Sequence, residues 1–197
     1  MRCWGRGVLL GTILFILQFL RNMNATLRNL LPLSIALFLG GFSPLAAQSQ
    51  NSCPCCTEVY RQFDFWLGDW QAVDTAGNVL GHNHIVRMQD SCVIQENWSS
   101  ARGPYTGTSY NFYHSGEKVW KQLWLDNQGG YLELEGKFED GNMVLWSQSL
   151  TDQQGRSYRN RITWTPLDDG RVRQHWQVTY DDGDTWQTAF DGYYERE

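Results

Sequence analysis

The sequence predicts an all-β fold, a single up-and-down antiparallel β-barrel of about ten strands over residues 63–197. Three observations predict it. From Leu67 onward the chain repeats one rhythm: a run of seven to ten residues rich in aromatic and β-branched types, then a cluster of Gly, Asp, Asn or Ser, the spacing of strands in a sandwich or barrel. No segment of that region sustains the apolar period of a helix. Within the runs, alternate residues differ in chemistry, as they do when one strand face meets a core and the other meets water. The connections leave little room for crossovers, so a meander closing into a barrel is preferred to a Greek-key sandwich.

Taken in order, residues 57–66 form a short helix or turn leading into the first strand, which ends at Thr75-Ala-Gly-Asn78. The second strand carries His82 and His84 on one face with Leu80, Val86 and Met88, and turns at Gln89-Asp-Ser91. The third places Glu96 and Trp98 inside. In the fourth, Ser109, Asn111 and Tyr113 are assigned to the interior, although Tyr110 and Phe112 on the other face blur the contrast. After His114-Ser-Gly-Glu117, Trp120, Gln122 and Trp124 point inward, up to Asp126-Asn-Gln-Gly-Gly130. The strand from Tyr131 is the clearest: Tyr131, Glu133, Glu135 and Lys137 face water, and Leu132, Leu134, Gly136 and Phe138 face the core. Beyond Glu139-Asp-Gly-Asn142 the same rule sets Trp146 and Gln148 inside. After Thr151-Asp-Gln-Gln-Gly155, Arg159 and Arg161 lie opposite Tyr158, Asn160, Ile162 and Trp164. Past Leu167-Asp-Asp-Gly170, Arg171, Arg173 and His175 lie opposite Val172, Gln174, Trp176 and Val178, and the last strand ends at Arg196. The turn clusters supply positive φ and local side-chain caps. The lumen is therefore aromatic, with interspersed amides that must be hydrogen-bonded and one carboxylate.

Residues 1–47 stand apart, with four arginines, no acidic residue and two apolar runs. The run Leu30–Phe42 follows a polar basic stretch beginning at Met23 and ends in Ser43-Pro-Leu-Ala-Ala-Gln48, the layout of a secretory signal. Residues 23–47 read as a signal peptide cut after Ala47. The run Val8–Leu20 falls short of the ~20 residues that cross a bilayer as a helix, and Met23 opens a complete signal by itself. Residues 1–22 are thus an upstream extension or a short apolar segment, the alternative being a two-segment membrane anchor. Residues 48–62 form a cysteine-containing N-terminal linker. The expected location is periplasmic or secreted, with no membrane span after signal cleavage.

The leader holds four of the chain's 16 basic residues and none of its 21 acidic ones, so 12 basic groups face 21 acidic groups in the remainder. That balance argues against nucleic acid as a partner, because binding a phosphate backbone requires clustered Lys and Arg. Export places Cys53, Cys55, Cys56 and Cys92 where disulfides persist. Adjacent Cys55 and Cys56 pair poorly and Cys53 to Cys55 closes a very small loop, so bond geometry favours one N-terminal cysteine bridging to Cys92. Four cysteines allow three full connectivities, among which the sequence does not choose. Metal binding by Cys53-Pro-Cys-Cys56 is the sharper alternative, but the cluster lacks the paired spacing of common zinc sites.

Phe63-Asp-Phe-Trp-Leu-Gly-Asp-Trp70 contains Gly68-x-Trp70, which resembles the Gly-x-Trp signature that opens lipocalins and related calycin barrels. The resemblance implies a calycin-like barrel in which Trp70 closes one end beneath a cationic side chain, Arg196, a stack that would contribute ~0.5–2 kcal/mol. The strand count is closer to fatty-acid-binding proteins and nitrobindin than to eight-stranded lipocalins. The region from Phe63 to Glu197 also resembles a bacterial family of exported proteins, without a settled activity, that share the Phe-Asp-Phe-Trp-x-Gly-x-Trp opening, an N-terminal cysteine and another near position 92. Resemblance thus implies fold and export and no chemistry. Thr179-Tyr-Asp-Asp-Gly-Asp-Thr-Trp186 fits the Asp-box pattern of sialidase-like propellers, but a single copy reads as a hairpin turn between the last two strands.

Glu96 is the first candidate for chemistry, since a lumenal carboxylate pairs, rises in pKa through desolvation, or meets a ligand donor. The plainer reading is a structural hydrogen bond. No lumenal histidine or second mid-strand carboxylate accompanies it, so a carboxylate pair for general acid/base work is unsupported. His82-x-His84 could supply two metal ligands, which do not make a site, and His175 sits on the outer, arginine-bearing face, against haem ligation. The chain has no Gly-rich phosphate loop and no Gly-x-Ser-x-Gly elbow, so no metal or cofactor is assigned. Tryptophans in a small barrel often just fill it; the competing reading is a cavity for an amphipathic ligand. The leading expectation is a barrel that binds a small hydrophobic or aromatic ligand, lined by Glu96, Trp98, Asn111, Gln122, Trp124, Gln174 and Trp176. The alternatives are an enzyme acting at the barrel mouth with Glu96 as acid or base, and a structural or interaction module of the cell envelope with a filled barrel.

Overall fold

The computed structural model describes residues 53–197; the readings of 1–22 and 23–47, and the start of the 48–62 segment, lie outside the described residues. Eleven strands follow one another: β1 (Gly68–Asp74), β2 (Val79–Met88), β3 (Val93–Ser100), β4 (Thr106–His114), β5 (Val119–Asp126), β6 (Tyr131–Glu139), β7 (Asn142–Trp146), β8 (Leu150–Thr151), β9 (Ser157–Pro166), β10 (Val172–Thr179) and β11 (Gln187–Arg196). Ten of them close into one antiparallel barrel. β1 to β7 pair in sequence, β7 pairs with β9, β9 with β10 and β10 with β11, and β11 returns to β1. The two-residue β8 pairs with β9. This is the predicted up-and-down, calycin-like barrel, its neighbours set by short hairpins.

Alternation along each strand divides the wall as read from the sequence, with one correction. On β6, Leu134 and Gly136 are buried while Glu133 and Lys137 are exposed. On β9, Asn160, Ile162 and Trp164 are buried. Trp146, however, pairs with Glu135 and Arg161 in the register, on the outer face, and Gln148 donates to Glu135 Oε1 at 2.9 Å. Met143, Leu145 and Ser147 fill the inward positions instead.

Because successive strands run in opposite directions, the start of β1, the end of β2 and the start of β3 meet at one end of the barrel. Two short 3-10 turns, Glu58–Arg61 and Asp64–Trp66, carry a plug into that end. Phe63 and Trp66 are fully buried. Their rings stack at 4.9 Å, and Phe63 meets Trp120 at 5.8 Å and Trp164 at 5.3 Å edge-on. Gln62 accepts the Trp120 indole N–H at 3.1 Å. A disulfide between Cys55 and Cys92 ties the plug to the β2–β3 turn, and Cys53 pairs with Cys56.

The first strand begins under the same plug. Trp70 is fully buried and donates to the Trp66 carbonyl at 2.8 Å. The Arg196 guanidinium lies 3.8 Å over the Trp70 ring and donates to the Leu67 carbonyl at 2.7 Å. Gly68 sits at φ +130°, a backbone conformation that favours glycine, and a Cβ there would push the Arg196 guanidinium off its place. At the opposite end the β10–β11 turn is organised by Asp181. It accepts from the hydroxyls of Thr179 at 2.7 Å and Thr185 at 2.5 Å, and those hydrogen bonds, with the Thr185 backbone N–H, hold its pKa down at about 2.

Candidate functional site

Above the apolar base formed by the plug, Ile85, Ile94, Leu134 and Ile162, the lumen carries a polar layer. Antiparallel register builds it. Glu96 on β3 lies directly opposite Ser109 on β4, and Asn111 lies opposite Gln122 on β5. Ser109 donates its hydroxyl to Glu96 Oε2 at 2.6 Å, and Asn83 donates its amide to Glu96 Oε1 at 2.7 Å. Asn111 donates to Ser109 Oγ at 2.9 Å and to the Ile94 carbonyl at 3.2 Å, while Gln122 donates to Asn111 Oδ1 at 2.7 Å. On the other side, Tyr194 donates to Gln174 Oε1 at 2.5 Å and accepts from Asn83 at 3.4 Å. One chain of hydrogen bonds therefore runs from β10 through β11, β2, β3 and β4 to β5.

Glu96 is the charged member of this layer, only 6% exposed. Burial pushes its pKa up to about 6, against the opposing pull of the hydrogen bonds from Ser109 and Asn83. Burial, and then the Glu96 charge, raise the Tyr194 phenol well above its ordinary range, so it stays a neutral donor. The carboxylate fixes the Asn83 amide: both of its N–H groups go to Glu96 and Tyr194, which leaves the Asn83 carbonyl oxygen buried and without a partner. A buried acceptor without a donor costs ~1–3 kcal/mol.

Next along the same strands, away from the plug, come Trp98, Trp124 and Trp176, all half-buried. Two of the loops at that end, Ala101–Pro104 and Asn127–Gly130, are exposed. Trp98 and Trp124 lie along the wall. A Cβ at Gly81 would strike the six-membered ring of Trp98, and one at Gly107 would strike that of Trp124. Glycine on the neighbouring strand therefore leaves room for each indole to pack over its backbone. Trp176 is steadied by its indole N–H, which donates to Asn160 Oδ1 at 2.8 Å.

All seven lining residues read from the sequence thus stand on the inner wall, but in two tiers. Glu96, Asn111, Gln122 and Gln174 belong to the polar layer, and the three tryptophans stand at the mouth. Asn83 and Tyr194, which complete the layer, were missed. Tyr194 sits two residues before Arg196 on the last strand, where parity alone could have found it.

The remaining candidates face outward. His82 and His84 are exposed and pair with Glu197 and Asp69, and His175 contacts Thr188 Oγ1 at 3.0 Å. Among the described residues, no group of three or more His, Cys, Asp or Glu side chains converges as metal ligands. A cleft of about 500 Å³ opens at the rim beside Tyr158, Arg159, Tyr180 and Asp182. A second, of about 270 Å³, lies on the wall between Phe112, Lys121, Glu135 and Trp146. No protein-family model matches this chain, and no curated protein is significantly similar to it.

Proposed function

We propose that the protein is an exported, calycin-like barrel that binds a small hydrophobic or aromatic ligand at the mouth opposite the plug. One observation carries the reading: Trp98, Trp124 and Trp176 stand half-buried on the inner wall, with a built polar layer beneath them. Aromatic walls with a few oriented polar groups suit a small amphipathic ligand, and each aromatic contact adds ~0.5–1.5 kcal/mol beyond area burial. Two disulfides and the leader-like composition of residues 1–47 support export. Native mass spectrometry of protein purified from its own source tests the reading. A small molecule should co-purify with the wild type and be lost from a Trp98→Ala/Trp124→Ala variant. A ligand-free wild type that also ignores aromatic probes would favour a filled structural barrel, the reading supported by the mutual hydrogen bonding of Glu96, Ser109, Asn111 and Gln122.

A further inference from the structure

We infer that the mouth is selective for a protonated amine attached to an apolar or aromatic body, whose ammonium group sits among the three indoles and is drawn to Glu96. The inference rests on the mouth as the binding site and adds the charge of what binds there.

Three observations converge on it. First, the inner wall above the plug carries formal charge of one sign. Glu96 lies in the polar layer and Asp126 at the rim, two positions beyond Trp124 on the same face of β5. The arginines at 159, 161, 171 and 173 stand on the outer wall, where they meet Asp182, Gln177, Asp169 and Asp191 respectively. The Glu96 carboxylate takes its two hydrogen bonds from neutral groups, Ser109 and Asn83, so its charge has no compensating cation within the layer. A buried carboxylate that lacks a cation attracts one far more strongly than an exposed carboxylate does.

Second, the spare hydrogen-bonding capacity around Glu96 is weighted towards acceptors. The amide N–H groups of Asn83 and Asn111 are each used twice, the Ser109 hydroxyl donates to Glu96, and the Tyr194 hydroxyl donates to Gln174. Beside Glu96 there remain the second lone pair on each of its oxygens and the partnerless Asn83 carbonyl, while the amide N–H groups of Gln174 lie on the far side of Tyr194. This balance favours a positively charged donor at the mouth; a carboxylate or phosphate there meets acceptors and a like charge.

Third, three half-buried indoles stand next to that layer on the side away from the plug. The face of an indole attracts a cation, and clustered aromatic faces are a common way to hold an ammonium group. Gly81 and Gly107 seat two of these rings, whose six-membered parts pack against the neighbouring strands.

The test uses three probes of one shape: phenethylammonium, the neutral 2-phenylethanol and the anion 3-phenylpropionate. Each is titrated into the protein at pH 7.5, with the indole N–H signals of Trp98, Trp124 and Trp176 followed by NMR. The ammonium should bind at least tenfold more tightly than either of the others, and Glu96→Gln should abolish that preference. Should the variant fail to fold, the wild type supplies the same information: affinity for the ammonium should fall about tenfold between pH 7.5 and pH 5 as Glu96 is protonated, while 2-phenylethanol changes little. Equal binding of all three probes, or tighter binding of the alcohol or the anion, with shifts at these indoles would overturn the amine selectivity and leave the mouth as the site. Failure of every probe to move the three indole signals would overturn both.

Discussion

Glu96 links the stability of the barrel to pH in a direction opposite to most carboxylates. An ordinary glutamate titrates near 4.5, whereas Glu96 in the fold titrates at about 6. Between those values the folded state holds a proton that the unfolded state has released, so this group's contribution falls as pH rises through that window. Below about pH 4.5 it costs nothing, and above pH 6 it costs about 2 kcal/mol. Urea denaturation at pH 4.5 and pH 7 should show the wild type losing about 2 kcal/mol relative to Glu96→Gln across that interval; parallel behaviour of the two proteins would refute the link. The inward position of Glu96 was legible because β3 alternates between Ile94, Glu96 and Trp98 and a more polar outer row. Asn83 was not legible, since His82, Asn83 and His84 are polar on both faces and alternation has no contrast to read. Trp146 misled for the mirror-image reason. Val144 and Trp146 on one face of β7 are as apolar as Met143 and Leu145 on the other, so only the register with Glu135 and Arg161 decides the facing.

At the scale of elements, the segment before β1 does more than lead into the barrel. Its turn character was foreseen, but its role as the cap of one end depends on Phe63 and Trp66 reaching Trp120 and Trp164, contacts that are distant in sequence and carry no local signature. The disulfide pattern was similarly half-legible. Bond geometry pointed to Cys92 as a partner for the N-terminal cluster, yet only the fold selects Cys55 for it and leaves Cys53 to Cys56. Cys92 follows Gln89, Asp90 and Ser91, three consecutive non-glycine residues with positive φ, a conformation that neighbouring structure must enforce. The Cys55–Cys92 bridge, spanning 37 residues, supplies part of that constraint. Replacing both cysteines with alanine should lower unfolding free energy by roughly 3–4 kcal/mol, measured by denaturant titration. A change below about 1 kcal/mol would mean that the plug is held by its non-covalent contacts, among them the aromatic stack, the hydrogen bonds from Trp120 and Trp70, and the Arg87–Asp64 ion pair.

Across the whole molecule the barrel is asymmetric along its axis. One end is sealed by a bonded and stacked plug, the middle is a continuous hydrogen-bonded layer, and the other end carries half-buried tryptophans. The closed sheet was legible from turn spacing and alternation. The division into tiers was not, because parity says which way a residue faces but nothing of how deep it lies until register and the plug are fixed. That asymmetry is the central claim, and labelling with 5-fluorotryptophan tests it most directly, each signal being assigned through a Trp→Phe variant. A soluble paramagnetic agent should broaden the resonances of Trp98, Trp124 and Trp176 and leave those of Trp66, Trp70 and Trp164 sharp. Equal protection of all six would contradict the account, because the mouth would then be as closed as the plugged end.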